Sequence, residues 1–98
     1  MNLRIRNSKD NLVEFTQNYL NELLSDVHVE FIINGYKIVD TITAVGLDFI
    51  DEEHYLTFYF EKSDHQNVPL LEDSKANIGF QIVVIETKNH TTVIEVLE

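Results

Sequence analysis

The sequence contains no cysteine and only one proline, Pro69. Without cysteine, disulfides, thiolate zinc sites and cysteine nucleophiles are all excluded. No apolar run approaches the roughly 18 residues of a membrane-spanning helix. The first residues, MNLRIRNSKD, lack the apolar core of a signal peptide. We therefore expect an intracellular, cytoplasmic protein.

Basic side chains are scarce. Seven Lys and Arg stand against 17 Asp and Glu, which gives a formal net charge of −10. The segment from Asp48 to Asp73 alone holds eight acids and one base. Such a field repels phosphate backbones and anionic lipids but attracts cationic surfaces. We therefore expect a basic protein partner, with no direct binding to nucleic acid or to a membrane.

Motifs that carry chemistry are also missing. The three glycines lie too far apart to cradle a phosphate, and the acidic run lacks the spacing of an EF-hand loop. The four histidines are scattered along the chain. A zinc site built from His54, Asp64 and His65 is chemically conceivable, although surface histidines are the ordinary case. We predict no catalytic residue, no metal and no cofactor, and therefore not an enzyme.

The strongest fold signal is Asn34-Gly35, which separates two runs of β-branched and aromatic residues. A two-residue type I′ turn requires positive φ at both central positions, and Asn-Gly favours it. A β-hairpin is predicted with this register: Ile33 opposite Tyr36, Ile32 opposite Lys37, Phe31 opposite Ile38, Glu30 opposite Val39, Val29 opposite Asp40, His28 opposite Thr41 and Val27 opposite Ile42.

This register places Asp40 on the apolar face of the hairpin. An unpaired buried carboxylate is costly, and its pKa would rise. One interpretation is an acid tuned for function. The other, which we favour, is a bulge or strand end that turns Asp40 outward.

The remaining pattern predicts one helix and several strands. Residues 2 to 6 could add a short edge strand. The segment from Asn11 to Leu24 has a helical period, with an apolar face for packing on a sheet and an amide-rich outer face. Further along, the pattern predicts a bulge at Gly46, a polar turn at 51–54, a strand over Tyr55–Phe60, an irregular loop over Glu61–Asn77, a buried strand over Ile78–Glu86 and a closing strand over Thr91–Leu97.

We therefore predict a single α+β domain spanning residues 1 to 98. In this fold one N-terminal amphipathic helix packs on a single antiparallel sheet of about five strands, connected by hairpins as a meander. The chain is long enough for one core, and its 44% hydrophobic content is sufficient to fold it.

The charge distribution suggests a small acidic inhibitor that mimics nucleic acid. Such an inhibitor blocks the basic, nucleic-acid-binding surface of its protein partner, which we expect to be a nucleic-acid-handling enzyme. In size and charge the chain resembles inhibitors of the anti-CRISPR, anti-restriction and toxin-immunity types, among them phage proteins. The likeness rests on size and charge alone, and it matches no family motif. The predicted interaction residues are the acids of the segment: Asp48, Asp51, Glu52, Glu53, Glu61, Asp64, Glu72 and Asp73.

A second hypothesis is a structural or adaptor subunit that assembles through a sheet edge or through the helix face, with the acids serving solubility. Edge pairing by Thr91–Leu97 could make a homodimer.

Overall fold

The computed structural model describes residues 3–5, 19–71 and 73–97. Eight strands and one short helix lie within these ranges. They are β1 (Leu3–Ile5), α1 (Asn21–Leu24), β2 (Val27–Ile33), β3 (Tyr36–Ile50), β4 (Glu53–Phe60), β5 (Gln66–Leu70), β6 (Lys75–Ile78), β7 (Ile82–Thr87) and β8 (His90–Val96).

The strands form one sheet in the order β1-β6-β7-β8-β2-β3-β4-β5, and every neighbouring pair is antiparallel. The prediction of a single antiparallel sheet is therefore confirmed. The predicted strand number of about five is wrong, because two hairpins were hidden in the second half of the sequence. The predicted meander is also wrong, because β1 lies beside β6 and β8 lies beside β2, and neither pair is consecutive in the chain. The predicted edge strand near the N-terminus is present as β1, which pairs with β6.

The sheet is strongly curled. Strands β5 and β6 lie six steps apart in the strand order, which would separate them by about 29 Å in a flat sheet. They are nevertheless consecutive in the chain, and residues 71–74 join them. Such a connection reaches at most about 18 Å. The two sides of the sheet must therefore approach each other, and the buried residues of β2 to β8 form one cluster inside the curl.

The first hairpin, β2–β3, has the predicted register at all seven positions. Asn34 and Gly35 form its turn, with φ values of 47° and 86°. The turn is also fastened to the neighbouring strand β8. The Asn34 N–H donates to the Thr91 carbonyl (2.9 Å), and the Thr91 N–H donates to Asn34 Oδ1 (2.9 Å).

Asp40 points inward on β3 and is only 5% exposed, so the outward turn that we favoured is wrong. Its carboxylate accepts hydrogen bonds from the N–H groups of Thr41 (2.6 Å), Ser63 (2.8 Å) and Lys62 (3.1 Å). Burial acts to raise the pKa of this carboxyl, but these N–H groups and the Ser63 hydroxyl hold the pKa below its usual value. The tuned-acid interpretation, which required a raised pKa, is also wrong.

The second half of β3 also differs from the prediction. Gly46 pairs regularly with Thr57, and the register shift lies between Ile42 and Ala44 instead. The expected polar turn at 51–54 is shorter, because Glu53 and His54 already belong to β4. A second two-residue hairpin, β3–β4, therefore follows directly on the first.

The expected loop over Glu61–Asn77 contains two strands, β5 and β6. Pro69 lies in β5, at the outer end of the strand order, where a missing backbone N–H is tolerated. The expected single strand over Ile78–Glu86 is interrupted at residues 79–81, which form the β6–β7 turn. The predicted strand over Thr91–Leu97 is present as β8, but it lies between β7 and β2. It therefore has no exposed edge for the homodimer that we considered.

The predicted helix falls largely on residues 11 to 18, which lie outside those described. Of the remainder, α1 buries Leu24, and Leu20 just before it is also buried. Asn21, expected on an outer amide face, is exposed, and its Oδ1 also accepts a hydrogen bond from the Val45 N–H (2.8 Å). In the described ranges, no helix has the length and apolar character needed to traverse a membrane.

Candidate functional site

The β3–β4 hairpin ends in a segment that we call the hairpin tip, residues 49–53. Asp51 and Glu52 form its turn with φ values of 50° and 66°. Both residues thus adopt the left-handed backbone conformation. For most residues that carry a Cβ, this conformation costs about 1–2 kcal/mol relative to the right-handed one. Aspartate tolerates this region better than glutamate does, so the local strain is greatest at Glu52.

The hairpin tip exposes apolar and acidic side chains together. Phe49 is 63% exposed and Ile50 is 42% exposed. The three residues that follow, Asp51, Glu52 and Glu53, are also exposed. Apolar groups beside carboxylates on an exposed turn provide contact area and charge in one place, in the way that an apolar core and a polar rim do in a protein interface.

His54 lies beneath the hairpin tip, with its ring centroid 4.7 Å from that of Phe49. Its Nδ1 is buried and has no hydrogen-bond partner in the described part of the chain. Unpaired buried polar atoms are rare in folded proteins. Strain at the turn, an exposed ring and an unpaired nitrogen therefore occur within six consecutive residues.

The hairpin tip extends beyond the first hairpin. The pairing of β2 with β3 begins at Val27 opposite Ile42, so β3 continues past that point with β4 alone. The N–H of Val45, just after this boundary, is satisfied by Asn21. From Gly46 to Ile50, β3 therefore projects from the part of the sheet in which it has strands on both sides.

Asp48 has a different environment from the other predicted acids. It is partly buried on the outer face of the sheet and lies opposite Tyr55. The Thr57 hydroxyl donates to Asp48 Oδ2 (2.6 Å) and lies 2.8 Å from Asn67 Oδ1. A hydroxyl has only one proton, and the Thr57 hydroxyl already donates it to Asp48. The contact with Asn67 is therefore a hydrogen bond if the Asn67 amide is rotated so that its nitrogen donates to the Thr57 oxygen. Asp48 thus takes part in a hydrogen-bonded group that spans β3, β4 and β5.

The remaining predicted acids lie elsewhere. Glu61 and Asp64 are exposed in the β4–β5 connection, at the opposite end of β4 from Glu53. Asp73 accepts a hydrogen bond from the Lys88 N–H (2.7 Å) and so fastens the β5–β6 connection to the β7–β8 turn. Glu72 lies outside the described residues. Of the eight predicted acids, the structure brings Asp51, Glu52 and Glu53 together at the tip.

The conceivable zinc ligands do not converge. His54 lies at the tip end of β4, whereas Asp64 and His65 follow its other end, where the His65 ring contacts Tyr59 (5.6 Å between centroids). In the described ranges, no group of three or more metal-ligating side chains is present.

The sequence analysis did not include Phe49 and Ile50 among the candidate site residues, because it selected the interaction surface by charge alone. The usable signal was their position: they precede three consecutive acids, and residues bordering a hairpin turn are commonly exposed.

Comparison with protein-family models finds no match for this chain, and comparisons with curated proteins and with solved structures find no significant match either.

Proposed function

We propose that this chain is a non-enzymatic binding protein that inhibits a nucleic-acid-handling protein by occupying its basic surface with the hairpin tip. The observation that carries the proposal is the exposed Phe49 beside three exposed carboxylates on one projecting turn.

The two kinds of side chain have different roles in such an interface. An aromatic side chain that enters a pocket of the partner contributes much of the binding energy, and such anchors are concentrated in a few residues. The carboxylates of Asp51, Glu52 and Glu53 accelerate association with a cationic surface and select against acidic ones. Phe49 thus supports affinity, and the acids support partner choice and rate.

The acids at the other end of β4 extend the negative field. Glu61 lies eight residues beyond Glu53, which corresponds to about 26 Å along a strand. This distance exceeds the Debye length of about 8 Å at physiological salt, so the two acidic groups act as separate patches. A nucleic-acid-binding groove that is lined with basic side chains over a similar length could contact both acidic patches.

The proposal can be tested by capture on the immobilised protein from a bacterial lysate at low salt, followed by elution with duplex DNA. The proposal expects release of a nucleic-acid-binding protein by the duplex, because both ligands compete for one cationic surface. A rising salt gradient should release the same protein. Retention that neither DNA nor salt reverses, or recovery of the chain itself alone, would contradict the proposal.

A further inference from the structure

A second surface, remote in sequence from the hairpin tip, encloses an apolar pocket of about 250 Å³ between α1 and the β6–β7 turn. Its lining combines buried and exposed side chains, from Leu24 and Val83 inside to Leu23, Phe80 and Ile82 at the mouth. No residue of the hairpin tip belongs to it.

Phe80 is the most unusual part of this surface. It lies on the three-residue β6–β7 turn and is 86% exposed. Ile82 (42%) and Leu23 (39%) are also exposed beside the same pocket, and Leu97 (39%) directly follows the lining residue Val96. Single exposed apolar residues are normal, but a contiguous group around a concavity marks a binding surface.

The size of the pocket restricts its occupant. Pockets for drug-sized ligands usually measure roughly 300–1,000 Å³, and the pocket found here is smaller. It is suited to a single large side chain, as expected of an anchor in a protein interface.

The charges around the pocket restrict the occupant further. Among the described residues adjacent to its lining, in sequence or across the sheet, the charged ones are Glu22, Asp26 and Glu95, and all three are exposed. None of these neighbours is Lys or Arg. An acidic rim around an apolar pocket is complementary to an apolar side chain flanked by cationic residues. It also disfavours a second copy of this acidic chain, whose rim carries the same charges.

We infer that this pocket binds a basic peptide segment of a partner protein through one apolar anchor side chain, with the flanking lysines or arginines against the acidic rim. The site is distinct from the hairpin tip and does not depend on the function proposed for the tip.

The probe for this inference is a short lysine-rich peptide with one phenylalanine, compared with the same peptide carrying serine at that position. Titration into ¹⁵N-labelled protein should shift the amide resonances of Leu23, Val27 and residues 79–83. The serine peptide should bind at least about tenfold more weakly, which corresponds to about 1.4 kcal/mol. Equal binding of both peptides, or shifts confined to other residues, would overturn the inference.

Variants of the protein separate the apolar and ionic contributions. Phe80→Ser should weaken binding of the phenylalanine peptide about tenfold or more. Tyr36→Ser, which removes a 64% exposed aromatic side chain from the first hairpin, serves as the matched control and should leave binding unchanged. Equal effects of the two substitutions would contradict a pocket-specific site.

The acidic rim is tested by Glu22→Gln combined with Glu95→Gln, against Glu61→Gln combined with Asp64→Asn as a charge-matched control. The rim variant should bind the peptide more weakly and with a smaller salt dependence than the control. Equal salt dependence in both would contradict the ionic part of the inference.

Two outcomes distinguish this site from other possibilities. Phe49→Ser should not change the binding of the phenylalanine peptide. The pocket is therefore tested independently of the function proposed for the hairpin tip. Sedimentation of the protein without peptide should show no association that depends on Phe80. A dimer abolished by Phe80→Ser would assign the pocket to a second copy and overturn the inference.

Discussion

The two consecutive hairpins use the same turn geometry with opposite sequence chemistry. In the first, Asn34 and Gly35 suit positive φ, and the turn is hydrogen-bonded to β8. In the second, Asp51 and Glu52 adopt similar φ values, and no hydrogen bond outside the hairpin is found for them within the described residues. The first turn thus has residues that suit its backbone conformation and hydrogen bonds to a neighbouring strand. The second turn has neither, and its backbone is strained.

The difference places the less favourable backbone conformation at the hairpin tip. Local departures from sequence preference in folded proteins are concentrated at functional sites, and they lower stability there. An Asn-Gly pair at the second turn would satisfy the backbone better but would remove two carboxylates. This contrast supports the role proposed for the side chains of the hairpin tip, whereas the contacts of the first turn are those of a scaffold.

The largest expected difference involves one phenylalanine from each hairpin. Phe31 is fully buried and contacts the rings of Phe58 (5.1 Å) and Phe60 (5.2 Å). Phe31→Ala should lower the free energy of unfolding by about 4 kcal/mol, because it leaves a cavity. Phe49→Ala should lower it by less than about 1 kcal/mol. Urea denaturation measures both, and a similar cost for the two would contradict the difference in burial between Phe31 and Phe49.

The next effect concerns the buried carboxylate of the scaffold. Asp40→Asn should lower the free energy of unfolding by about 2 kcal/mol at pH 7, because hydrogen bonds to a charged acceptor are weakened. The folded-state pKa of Asp40 lies below the usual value of an aspartate side chain, because N–H groups bond to its charged form. This stabilisation is therefore present above about pH 4 and is lost as the pH falls through the lower, folded-state pKa.

Denaturation of the unsubstituted protein and of the Asp40→Asn variant at pH 7 and pH 3 checks this. The difference in their free energies of unfolding should be smaller at pH 3. Asp51→Asn is the control, because it alters an exposed carboxylate of the hairpin tip and should show little effect at either pH. A difference that grows on acidification would contradict the assigned sign.

The turns themselves should respond in opposite directions. Asp51→Asn combined with Glu52→Gly should raise the free energy of unfolding by about 1 kcal/mol, because it relieves positive φ at a glutamate. Gly35→Ala should lower it by about 1 kcal/mol. No atom lies within 4 Å of the added Cβ, so the cost is conformational. Unfolding midpoints measure both changes, and stabilisation by Gly35→Ala would refute the assigned turn.

The smallest effect is expected from the ion pair of the first hairpin, where Lys37 Nζ lies 3.3 Å from Glu30 Oε2. Lys37→Met should change the free energy of unfolding by less than about 0.5 kcal/mol, because exposed pairs are weakened by solvent and salt. Thermal unfolding at low and high salt measures this. A loss of more than about 1 kcal/mol in the free energy of unfolding would contradict the small contribution expected of this ion pair.

Sequence was sufficient where local chemistry determines structure. Asn34-Gly35 specifies a turn type, and the turn type specifies the register of β2 and β3. The Asp51-Glu52 turn has no such signal, because neither residue favours positive φ. The β6–β7 turn was missed for a related reason: Phe80 and its apolar neighbours continue the pattern of a buried strand.

Features that depend on distant residues could not be predicted. The environment of Asp40 is made by the N–H groups of Lys62 and Ser63, more than twenty positions away. The apolar pocket likewise brings together α1, the β6–β7 turn and β8. Their assembly follows from the curl of the sheet, which periodicity does not reveal. The acids of the tip were predicted, but their apolar neighbour Phe49 was not.

We propose that the hairpin tip, and not the overall negative charge, selects the partner. The most direct test compares capture from lysate by two variants of equal charge. The tip variant carries Asp51→Asn, Glu52→Gln and Glu53→Gln. The control carries Glu30→Gln, Asp73→Asn and Glu86→Gln, which remove three carboxylates outside both proposed binding surfaces. We expect the DNA-displaceable protein to be lost from the tip variant and retained by the control. Equal retention by both variants would contradict it.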